Sequence, residues 1–352
     1  MKKIICLPGD GIGPEIIKSA VDVLEFVGKK YDFDYEIEYF PFGGSAIDEM
    51  GHTFPEELKT KISNCDAVLL GAVGGPKWDN EKVRPEQGLL QLRKHLEVFA
   101  NVRPLSVNKS LSTHSPIKEE IISGTDLVIV RELTGGAYFG EPRRLLEESA
   151  LDSITYTKNE IEKIVRYAFE LAKTRNNKLT SVDKANVLAT SKLWRKIVIE
   201  ISNEYPEVEV DHMYVDAMSM ALITNPNRFD VIVTENLFGD ILSDEASVLG
   251  GSLGVLASAS FSLDGPNLYE PAHGSAPDIA NKNIANPIAT ILSLAMMIRH
   301  SFGLDYIAKD IENCVDEMIS DGLVTCDLKK ENYLTTTEFT EKLIEKLGYE
   351  KR

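Results

Sequence analysis

The sequence predicts an α/β fold, and two observations support that prediction. Short runs of β-branched and aliphatic residues, at 3–7, 66–73, 126–132 and 230–235, alternate with segments whose apolar residues recur at helical spacing. Such alternation is typical of α/β proteins. Pro14 follows a glycine-rich loop and precedes apolar residues at helical spacing, so we expect a strand, a loop and a helix to open the chain.

Length and charge restrict the classes of function. The chain has 352 residues, enough for one large or two ordinary domains with a substantial core, and 43% of them are hydrophobic. Its 55 acidic and 38 basic residues give a formal net charge of −17. A charge of this sign repels nucleic acid and anionic membranes, and no basic patch offsets it. We therefore expect a globular protein that binds neither.

Cysteine usage and hydropathy predict a cytoplasmic protein. Cys6, Cys65, Cys314 and Cys326 are widely scattered without metal-ligand spacing, as expected of reduced thiols that fill the core. The apolar run before Pro8 is too short for a signal sequence, and no later run approaches membrane-spanning length.

The segment between residues 131 and 157 departs from the helical pattern. Three glycines interrupt its aromatic residues, and the stretch SITYT at 153–157 has the composition of a strand. We therefore predict an exposed hairpin arm at about 136–157.

A pair of carboxylates lies in the stretch ENLFGDILSDEAS at 235–247, which is predicted to be helical. Asp240 and Asp244 are four residues apart, so both side chains face the same way. Like charges on adjacent turns destabilise a helix by about 0.2–0.5 kcal/mol. A cation between them would remove this cost, and Mg²⁺ or Mn²⁺ prefers such oxygen ligands. In so acidic a chain, a solvated acidic face explains the spacing equally well.

Three arginines are candidate carboxylate binders. Arg93, Arg103 and Arg131 occur in the contexts GLLQLRKHL, FANVRP and VRELTGG. Guanidinium groups that converge on one site would bind a substrate with two carboxylates through paired hydrogen bonds. Taken singly, each is more commonly a surface arginine.

A stripe on one predicted helix places leucines beside the first of these arginines. Glu86, Leu89, Leu90 and Arg93 are related by steps of three and four, so they lie on one face. An apolar patch would then adjoin a carboxylate-binding group. The alternative is an ordinary amphipathic helix whose leucines belong to the core.

Two further segments could approach a ligand closely. GDGIGPE at 9–15 has the spacing G-x-G-x-G, which is not the dinucleotide fingerprint, so a ligand loop and a tight turn both remain open. AHGSAPDIANKNIANP at 272–287 is the best candidate cofactor segment, because its small residues would bring backbone close to a flat ligand. A solvent-exposed loop is the alternative.

Tyr138 and Lys184 are the candidates for proton transfer. Lys184 lies in the apolar, strand-like run TSVDKANVL, and burial disfavours a charged ammonium, which is how a lysine becomes a base near neutral pH. The alternative is that its ammonium group extends to water, as most such lysines do.

Ten segments resemble, in order, the motifs of the β-decarboxylating dehydrogenases, the isocitrate and isopropylmalate dehydrogenase family, along almost the whole chain. No single segment is specific, but ten in the family's order are. They are GDGIGPE, GGPKWD, RPEQGLLQLR, FANVRP, VRELTGGAYFGEPR, DKANVL, YVDAMSM, TENLFGDILSDEAS, HGSAPDIA and IANP.

The resemblance implies an isopropylmalate/isocitrate dehydrogenase-like fold, with two α/β domains around a central cleft and a protruding β arm, rather than a Rossmann fold. Residues 1–99 and 252–352 would form the cofactor-side domain, and 100–251 the domain for dimerisation, substrate and metal. The resemblance also implies a homodimer with interlocking arms, in which Lys184 and Asp216 serve the active site of the second subunit.

The resemblance also implies the chemistry, an NAD-dependent oxidative decarboxylation. Lys184 would take the substrate hydroxyl proton, and Tyr138 would protonate the carbon left after CO₂ departs. Asp216, Asp240 and Asp244 would hold Mg²⁺ or Mn²⁺, which stabilises the enolate oxygen, and Asp216 would also contact substrate. The three arginines, Arg93, Arg103 and Arg131, would hold the carboxylates.

Substrate choice, in this family, depends on the position of Leu89 or its neighbour, which is polar in relatives that act on isocitrate. Leu89 and Leu90 favour the isopropyl group of 3-isopropylmalate, an intermediate of leucine biosynthesis. Relatives that act on D-malate or tartrate also carry paired leucines and are the second possibility, while isocitrate and homoisocitrate are less favoured. A metal-binding dimer without activity would need a broken catalytic set, and every matched position is intact.

Cofactor choice, by the same resemblance, depends on Asp278, whose carboxylate would bind ribose hydroxyls and repel a 2′-phosphate. Relatives that use NADP carry a Lys-Tyr pair where this chain has Asp278 and Ile279. The implied NAD-binding residues are Ile12, Gly74, Glu86, Asn186, His273, Gly274, Ser275, Ala276, Asp278 and Asn286.

Overall fold

The computed structural model describes residues 1–107 and 109–349. The chain forms two compact units, the first from Met1–Glu97 with Gly251–Arg352 and the second from Val98–Gly250. Residues 108 and 350–352, which the predicted domain ranges include, lie outside the described residues.

Strands and helices alternate along the described residues, as expected of the α/β class. The strands are β1 (Lys2–Gly9), β2 (Tyr35–Tyr39), β3 (Ala67–Ala72), β4 (Ala100–Val107), β5 (Thr125–Glu132), β6 (Arg144–Leu145), β7 (Ala150–Leu151), β8 (Lys178–Asp183), β9 (Glu209–Tyr214), β10 (Val231–Thr234), β11 (Ala257–Phe261) and β12 (Asn267–Pro271). The helices are α1 (Gly13–Tyr31), α2 (Gly44–Met50), α3 (Glu56–Ile62), α4 (Pro85–His95), α5 (Lys109–Ser112), α6 (Glu119–Ile122), α7 (Lys158–Lys173), α8 (Ala189–Ser202), α9 (Val215–Thr224), α10 (Asn236–Ser247), α11 (Ile288–His300), α12 (Asp305–Ser320) and α13 (Thr336–Gly348).

The first unit contains the strands in the order β2-β1-β3-β12-β11. β2, β1, β3 and β12 run parallel, and β11 pairs with β12 in the antiparallel sense. Every residue of β3 is buried, as expected of a parallel strand covered on both faces. α1 buries the residues predicted at helical spacing, and Pro14 lies in its first turn, where a missing N–H costs nothing. The predicted opening of strand, loop and helix is confirmed.

The second unit contains the strands in the order β4-β5-β10-β8-β9. β4 is antiparallel to β5, and β5, β10, β8 and β9 run parallel. The strands predicted at 126–132 and 230–235 are β5 and β10, although β10 is limited to four residues. Their register pairs Thr234 with Arg131, so the two strands end side by side. α10 begins at this edge.

The predicted arm contains a hairpin, but one strand of the prediction is wrong. β6 and β7 pair in the antiparallel sense and are exposed. The stretch 153–157 belongs to no strand. Its carbonyls lie instead against the preceding glycine segment, where the Gly136 N–H donates to the Thr155 carbonyl at 2.9 Å. Thr157 then caps α7. The stretch 153–157 has a β-rich composition, but no strand among the described residues pairs with it.

The loop between β1 and α1 is a tight turn packed on the protein's own backbone. Gly9 and Gly11 have φ of +74° and +58°. A Cβ on Gly9 would lie 1.9 Å from the Ala72 carbonyl oxygen, and one on Gly11 would lie 2.0 Å from that of Ser275. Only glycine allows so close an approach. Of the two interpretations left open by the sequence, the structure favours the tight turn.

The remaining composition-based predictions concern thiols and membrane spans. Cys6 and Cys314 are buried and Cys65 and Cys326 are half-buried, as expected of thiols that fill the core. Among the described residues, no helix is both long and apolar enough to cross a membrane.

Candidate active site

The second unit brings five of the predicted site residues together. Arg131 Nη1 donates to the Oδ1 atom of Asp240, and Tyr138 Oη donates to Oδ2 of the same carboxylate at 2.5 Å. Arg103 Nη1 donates to Asp244 Oδ1 at 3.1 Å, and its Nη2 lies 3.7 Å from Asp240 Oδ1. Asp240 and Asp244 lie on one face of α10, as predicted, because four residues make about one helical turn.

The arginines of this cluster are buried, whereas its aspartates are partly exposed. The side chains of Arg131 and Arg103 are only 2% and 6% exposed, whereas those of Asp240 and Asp244 are 33% and 55% exposed. Burial raises the pKa of the Asp244 carboxyl, and the nearby Arg103 guanidinium opposes that rise. The arrangement leaves carboxylate oxygens on the open side of a buried positive layer.

Two carboxylates alone do not complete a metal site. In the described part of one chain, no group of three or more His, Cys, Asp and Glu side chains could hold a metal ion. The third predicted ligand, Asp216, lies in the first turn of α9 and does not join Asp240 and Asp244 in such a group. The donor set that is present, oxygen only, fits Mg²⁺ or Mn²⁺.

Lys184 and Asp216 form a separate pair in the second unit. Lys184 Nζ donates to Asp216 Oδ1, and this hydrogen bond lowers the pKa of the Asp216 carboxyl. The prediction that Lys184 lies within a strand-like run is wrong, because β8 ends at Asp183. The Asp183 carboxylate accepts the Ala185 N–H at 2.8 Å and so turns the chain. Lys184 therefore projects from a turn at the carboxyl end of β8.

The first unit contains the predicted leucine stripe on α4. The core side of α4 consists of Pro85, Gly88 and Leu92, while Leu89 and Leu90 are half-buried beside it. The alternative in which both leucines are core residues is therefore wrong.

Arg93, one turn after these leucines, is paired and largely buried. Its Nη2 donates to Glu270 Oε1 at 2.8 Å, and both side chains are 10% exposed. Its Nε is buried and has no hydrogen-bond partner among the described residues. A buried donor without a partner is costly, and a bound carboxylate would satisfy it.

Gly74 and Glu86, two predicted cofactor contacts, face each other in the first unit. Gly74 has φ of +105°, and a Cβ there would lie 2.9 Å from Glu86 Oε1. The Gly74 N–H donates to Asp10 Oδ2 at 2.9 Å, and Asp10 also accepts the N–H groups of Gly44 and Ser45. Burial raises the pKa of Asp10 even though these three N–H groups favour the carboxylate. Asp10 was not predicted, and the available signal in the sequence was an acidic residue between two glycines.

The candidate cofactor segment is an exposed turn with one buried polar atom. Gly274, Ala276 and Asp278 are exposed, and a Cβ on Gly274 would meet nothing within 4 Å. Ala276 has φ of +38° and precedes a short 3₁₀ turn at Pro277–Ile279. His273 Nε2 is buried and has no hydrogen-bond partner among the described residues, and burial lowers the pKa of this imidazole. An exposed turn that contains a buried nitrogen without a partner fits a cofactor segment.

Four other predicted cofactor residues have roles within the protein or lie apart. The Ile12 side chain is 4% exposed and packs in the core, while its N–H donates to the Ser275 carbonyl at 2.8 Å. Asn286 is 7% exposed, accepts the Ile288 N–H at the start of α11 and donates to Asp327. Asn186 is exposed in the turn after β8, in the second unit.

Several supporting residues were not predicted. Arg103 donates to Asn101 at 2.9 Å and to Ser243 at 2.6 Å, and Arg131 donates to Asn236. Ser243 precedes Asp244 by one residue, and Asn236 precedes Asp240 by four, so proximity to the carboxylates was the available signal.

Two carboxyls, also not predicted, are buried beside this network. Glu132 and Glu235 lie at the ends of β5 and β10 and are 0% and 4% exposed. Burial, followed by the charge of Glu132, raises the pKa of Glu235 to about 7, and Glu235 Oε1 has no hydrogen-bond partner among the described residues. Burial also raises the pKa of Glu132.

Comparison with known proteins supplies an independent line of evidence. The family model described as isocitrate/isopropylmalate dehydrogenase matches residues 3–343. A protein of Staphylococcus haemolyticus named 3-isopropylmalate dehydrogenase is 60% identical over 96% of this chain and 97% of its own length. A protein of the same name from Staphylococcus aureus is 59% identical over 98% of this chain and 99% of its own.

Two solved structures are similar over nearly the whole chain. The crystal structure of isocitrate dehydrogenase from Methylococcus capsulatus has a TM-score of 0.90 and 38% identity, and the match covers 99% of this chain and 100% of that one. The apo structure of a beta-decarboxylating dehydrogenase from Thermococcus kodakarensis has a TM-score of 0.81 and 39% identity, with 99% and 96% covered.

Proposed function

Because the chain belongs to the isocitrate/isopropylmalate dehydrogenase family, we propose that it catalyses the NAD-dependent oxidative decarboxylation of 3-isopropylmalate to 4-methyl-2-oxopentanoate and CO₂ in leucine biosynthesis. The names of the relatives that are about 60% identical support this proposal. The observation that carries it in the structure is the pair of half-buried leucines, Leu89 and Leu90, on the helix that also bears Arg93.

The leucine pair selects the substrate. An isopropyl group that leaves water against Leu89 and Leu90 gains about 1.5–3 kcal/mol, whereas a carboxylate there would lose its hydration without a partner. D-malate and tartrate lack the apolar branch and would gain less. Isocitrate is the other candidate because the similar Methylococcus capsulatus structure is named for it, but the leucines oppose its third carboxylate.

The proposed metal site combines Asp240 and Asp244 with Asp216 from a second copy of the chain. The two carboxylates of α10 present oxygen atoms on one helix face, which fits Mg²⁺ or Mn²⁺. When bound, the ion would stabilise negative charge on the substrate oxygen during decarboxylation.

Other side chains of this chain would bind the substrate and move its protons. The guanidinium groups of Arg93, Arg103 and Arg131 would hold the substrate carboxylates. Lys184 Nζ would accept the hydroxyl proton during oxidation. Tyr138 Oη, already held against Asp240 at 2.5 Å, would later donate a proton to the substrate carbon.

The proposed cofactor is NAD, which when bound would supply the hydride acceptor for the oxidation. Asp278 is exposed in its short turn and would select NAD by accepting ribose hydroxyls and repelling a 2′-phosphate. His273 Nε2, buried without a partner among the described residues, supports a ligand beside this turn.

We propose a homodimer in which Lys184 and Asp216 act in the site of the second copy. Their mutual hydrogen bond keeps the two together, as residues that act jointly should be. The arm is apolar at Leu145, Leu146 and Leu151, which are 88%, 61% and 46% exposed. A second copy would remove this apolar surface from water. The wide scatter of the four cysteines along the chain supports a cytoplasmic location.

The test is NADH formation with purified protein, NAD⁺ and either Mg²⁺ or Mn²⁺ across a panel of 2-hydroxy acids. We expect 3-isopropylmalate to give a higher kcat/KM than D-malate, tartrate, isocitrate and homoisocitrate. Replacing the stripe by Leu89→Ser with Leu90→Asn should reduce that advantage by about tenfold, since the apolar contact is lost. Equal rates before substitution would contradict the substrate, and NADH from none of the acids would indicate a catalytically silent dimer.

A further inference from the structure

Asn236 makes four polar contacts beside the second-unit cluster, which consists of Arg103, Arg131, Tyr138, Asp240 and Asp244. Its Oδ1 accepts from Arg131 Nε at 3.1 Å and from Nη2 at 2.7 Å. Its backbone N–H donates to Tyr156 Oη at 2.9 Å, and its Nδ2 donates to the Gly135 carbonyl at 3.4 Å. Asn236 is the first residue of α10 and is 1% exposed. One side-chain oxygen therefore binds one edge of the Arg131 guanidinium in the protein interior.

The same helix makes room for the stem of Arg131. Gly239 lies one turn after Asn236, and a Cβ there would lie 2.6 Å from Arg131 Cγ and 2.8 Å from Arg131 Cβ. Asp240 then meets Nη1 on the other edge of the guanidinium. The ring of Tyr138 lies 5.4 Å from the guanidinium carbon. Asn236, Gly239 and Asp240 thus present an amide oxygen, a space and a carboxylate to one arginine.

The amide of Asn236 differs from a carboxylate in charge and from a small apolar side chain in its hydrogen bonding. An amide oxygen accepts two N–H groups without adding charge, so Asn236 adds no negative charge to that which Asp240 brings to the Arg131 guanidinium. A carboxylate at position 236 would accept the same hydrogen bonds but would cancel that charge. A small apolar residue would leave the charge but release the Nε edge.

We propose that Asn236 is a positioning residue for substrate binding, holding the Nε and Nη2 side of the Arg131 guanidinium with a neutral acceptor so that the guanidinium keeps its orientation and its charge for a substrate carboxylate. This inference rests on the proposed function, which assigns Arg131 to the substrate. Asn236 itself touches neither substrate nor cofactor in this proposal.

Asn236→Ala tests the positioning through steady-state kinetics. We expect the KM for 3-isopropylmalate to rise by roughly tenfold or more, as when a charged group loses its partner, while the KM for NAD⁺ changes by less than about threefold. The decisive measurement is a double-mutant cycle with Arg131→Lys. A lysine has neither the Nε nor the Nη2 donor, so Asn236→Ala should add little in its presence.

A second variant and a control separate positioning from helix stability. Asn236→Asp keeps the acceptor and a polar helix start, and we expect it to fold and still raise the substrate KM because its charge neutralises Arg131. Tyr156→Phe removes the hydroxyl that accepts the Asn236 N–H but leaves the Arg131 contact. We expect Tyr156→Phe to lower Tm while leaving both KM values within about threefold of the original.

Several results would overturn the inference. They are an unchanged substrate KM in Asn236→Ala, full additivity of Asn236→Ala and Arg131→Lys, or an original substrate KM in Asn236→Asp. If Asn236→Ala does not fold, Asn236→Asp alone decides. If the original protein oxidises another 2-hydroxy diacid instead of 3-isopropylmalate, the proposed substrate fails, and the same cycle is run on that diacid.

Discussion

Side chains are held by opposite means in the second-unit cluster and in the candidate cofactor segment at 272–287 of the first unit. In the cluster, the Arg131 and Arg103 side chains are almost fully buried and are fixed by other side chains. In the segment, Ala276 and Asp278 are exposed, and the neighbouring Ser275 is fixed through its backbone carbonyl. In the cluster, the contacts that position the proposed site residues therefore also stabilise the fold. In the segment, the exposed side chains can contact a ligand without contributing such contacts.

This difference predicts how each region responds to substitution. A change in the cluster removes a partner from a buried charge and should affect both activity and stability. A change in the exposed turn should affect cofactor binding with little effect on the free energy of unfolding.

Lys184→Ala should lower kcat by about 10²- to 10⁴-fold, because the proposed base for the hydroxyl proton is removed. Mixing this variant with Asp240→Asn should restore part of the activity. If Lys184 serves the site of the second copy, a mixed dimer contains one site with both defects and one with neither. Activity is measured after subunit exchange has been shown with differently tagged chains. No recovery after proven exchange would place Lys184 in the site of its own chain.

Asp240→Asn and Asp244→Asn should each weaken Mn²⁺ binding and lower kcat by roughly a hundredfold or more, since a ligand charge is lost from the proposed metal site. Calorimetric titration with Mn²⁺ measures binding without turnover. Asp211→Asn is the matched control, because Asp211 pairs with Arg228 on an exposed strand. Unaltered Mn²⁺ binding in both variants would exclude these carboxylates as ligands.

Glu235→Gln should change the pH dependence of stability. The pKa of Glu235 rises from its ordinary 4.5 to about 7 in the folded protein. Between these values the unfolded chain releases the proton while the folded chain keeps it, so stability falls as pH rises and levels off above about 7. The glutamine variant should escape this loss of about 3 kcal/mol.

Urea unfolding at pH 5.5 and pH 8 measures the effect. We expect the variant to exceed the original protein in free energy of unfolding at pH 8, with a smaller difference at pH 5.5. Glu207→Gln, on an exposed surface, controls for the loss of one negative charge. An equal difference at both pH values would show that Glu235 does not titrate in this range.

Asp278→Lys with Ile279→Tyr should shift cofactor preference toward NADP⁺ by about tenfold or more, because a repulsive carboxylate is replaced by a cation. Tm should stay within about 2 °C, since both residues belong to the short turn at Pro277–Ile279. The ratio of kcat/KM for the two cofactors reports the shift. A preserved NAD⁺ preference would show that another residue selects the cofactor, and a large drop in Tm would contradict the contrast between the regions.

Periodicity predicted the parts of the site that depend on local spacing. The helix containing Asp240 and Asp244 and the stripe of Leu89 and Leu90 follow from steps of three and four along a helix. These features need only neighbours within one turn. The residue types of the arginines predict carboxylate binding, which stays a prediction, and their partners within the protein were not visible in the sequence.

Contacts between distant segments were beyond sequence reasoning. Asn236 meets Arg131 across 105 residues, and the contact exists because β5 and β10 end in register. The misplaced strand at 153–157 has the same origin, because the Thr155 carbonyl accepts from Gly136 in a separate segment. The misplaced Lys184 has a local cause instead, since the Asp183 carboxylate accepts the Ala185 N–H and ends the strand.

The carboxylate of Asp10 joins three chain segments of the first unit, its own turn, the start of α2 and the segment after β3. Each backbone N–H that donates to this carboxylate comes from a segment far away in sequence. None of these hydrogen bonds can therefore break without exposing the buried charge that all three share. These segments therefore form one cooperative unit of local unfolding, in which the amides of Gly44, Ser45 and Gly74 open to solvent together rather than loop by loop.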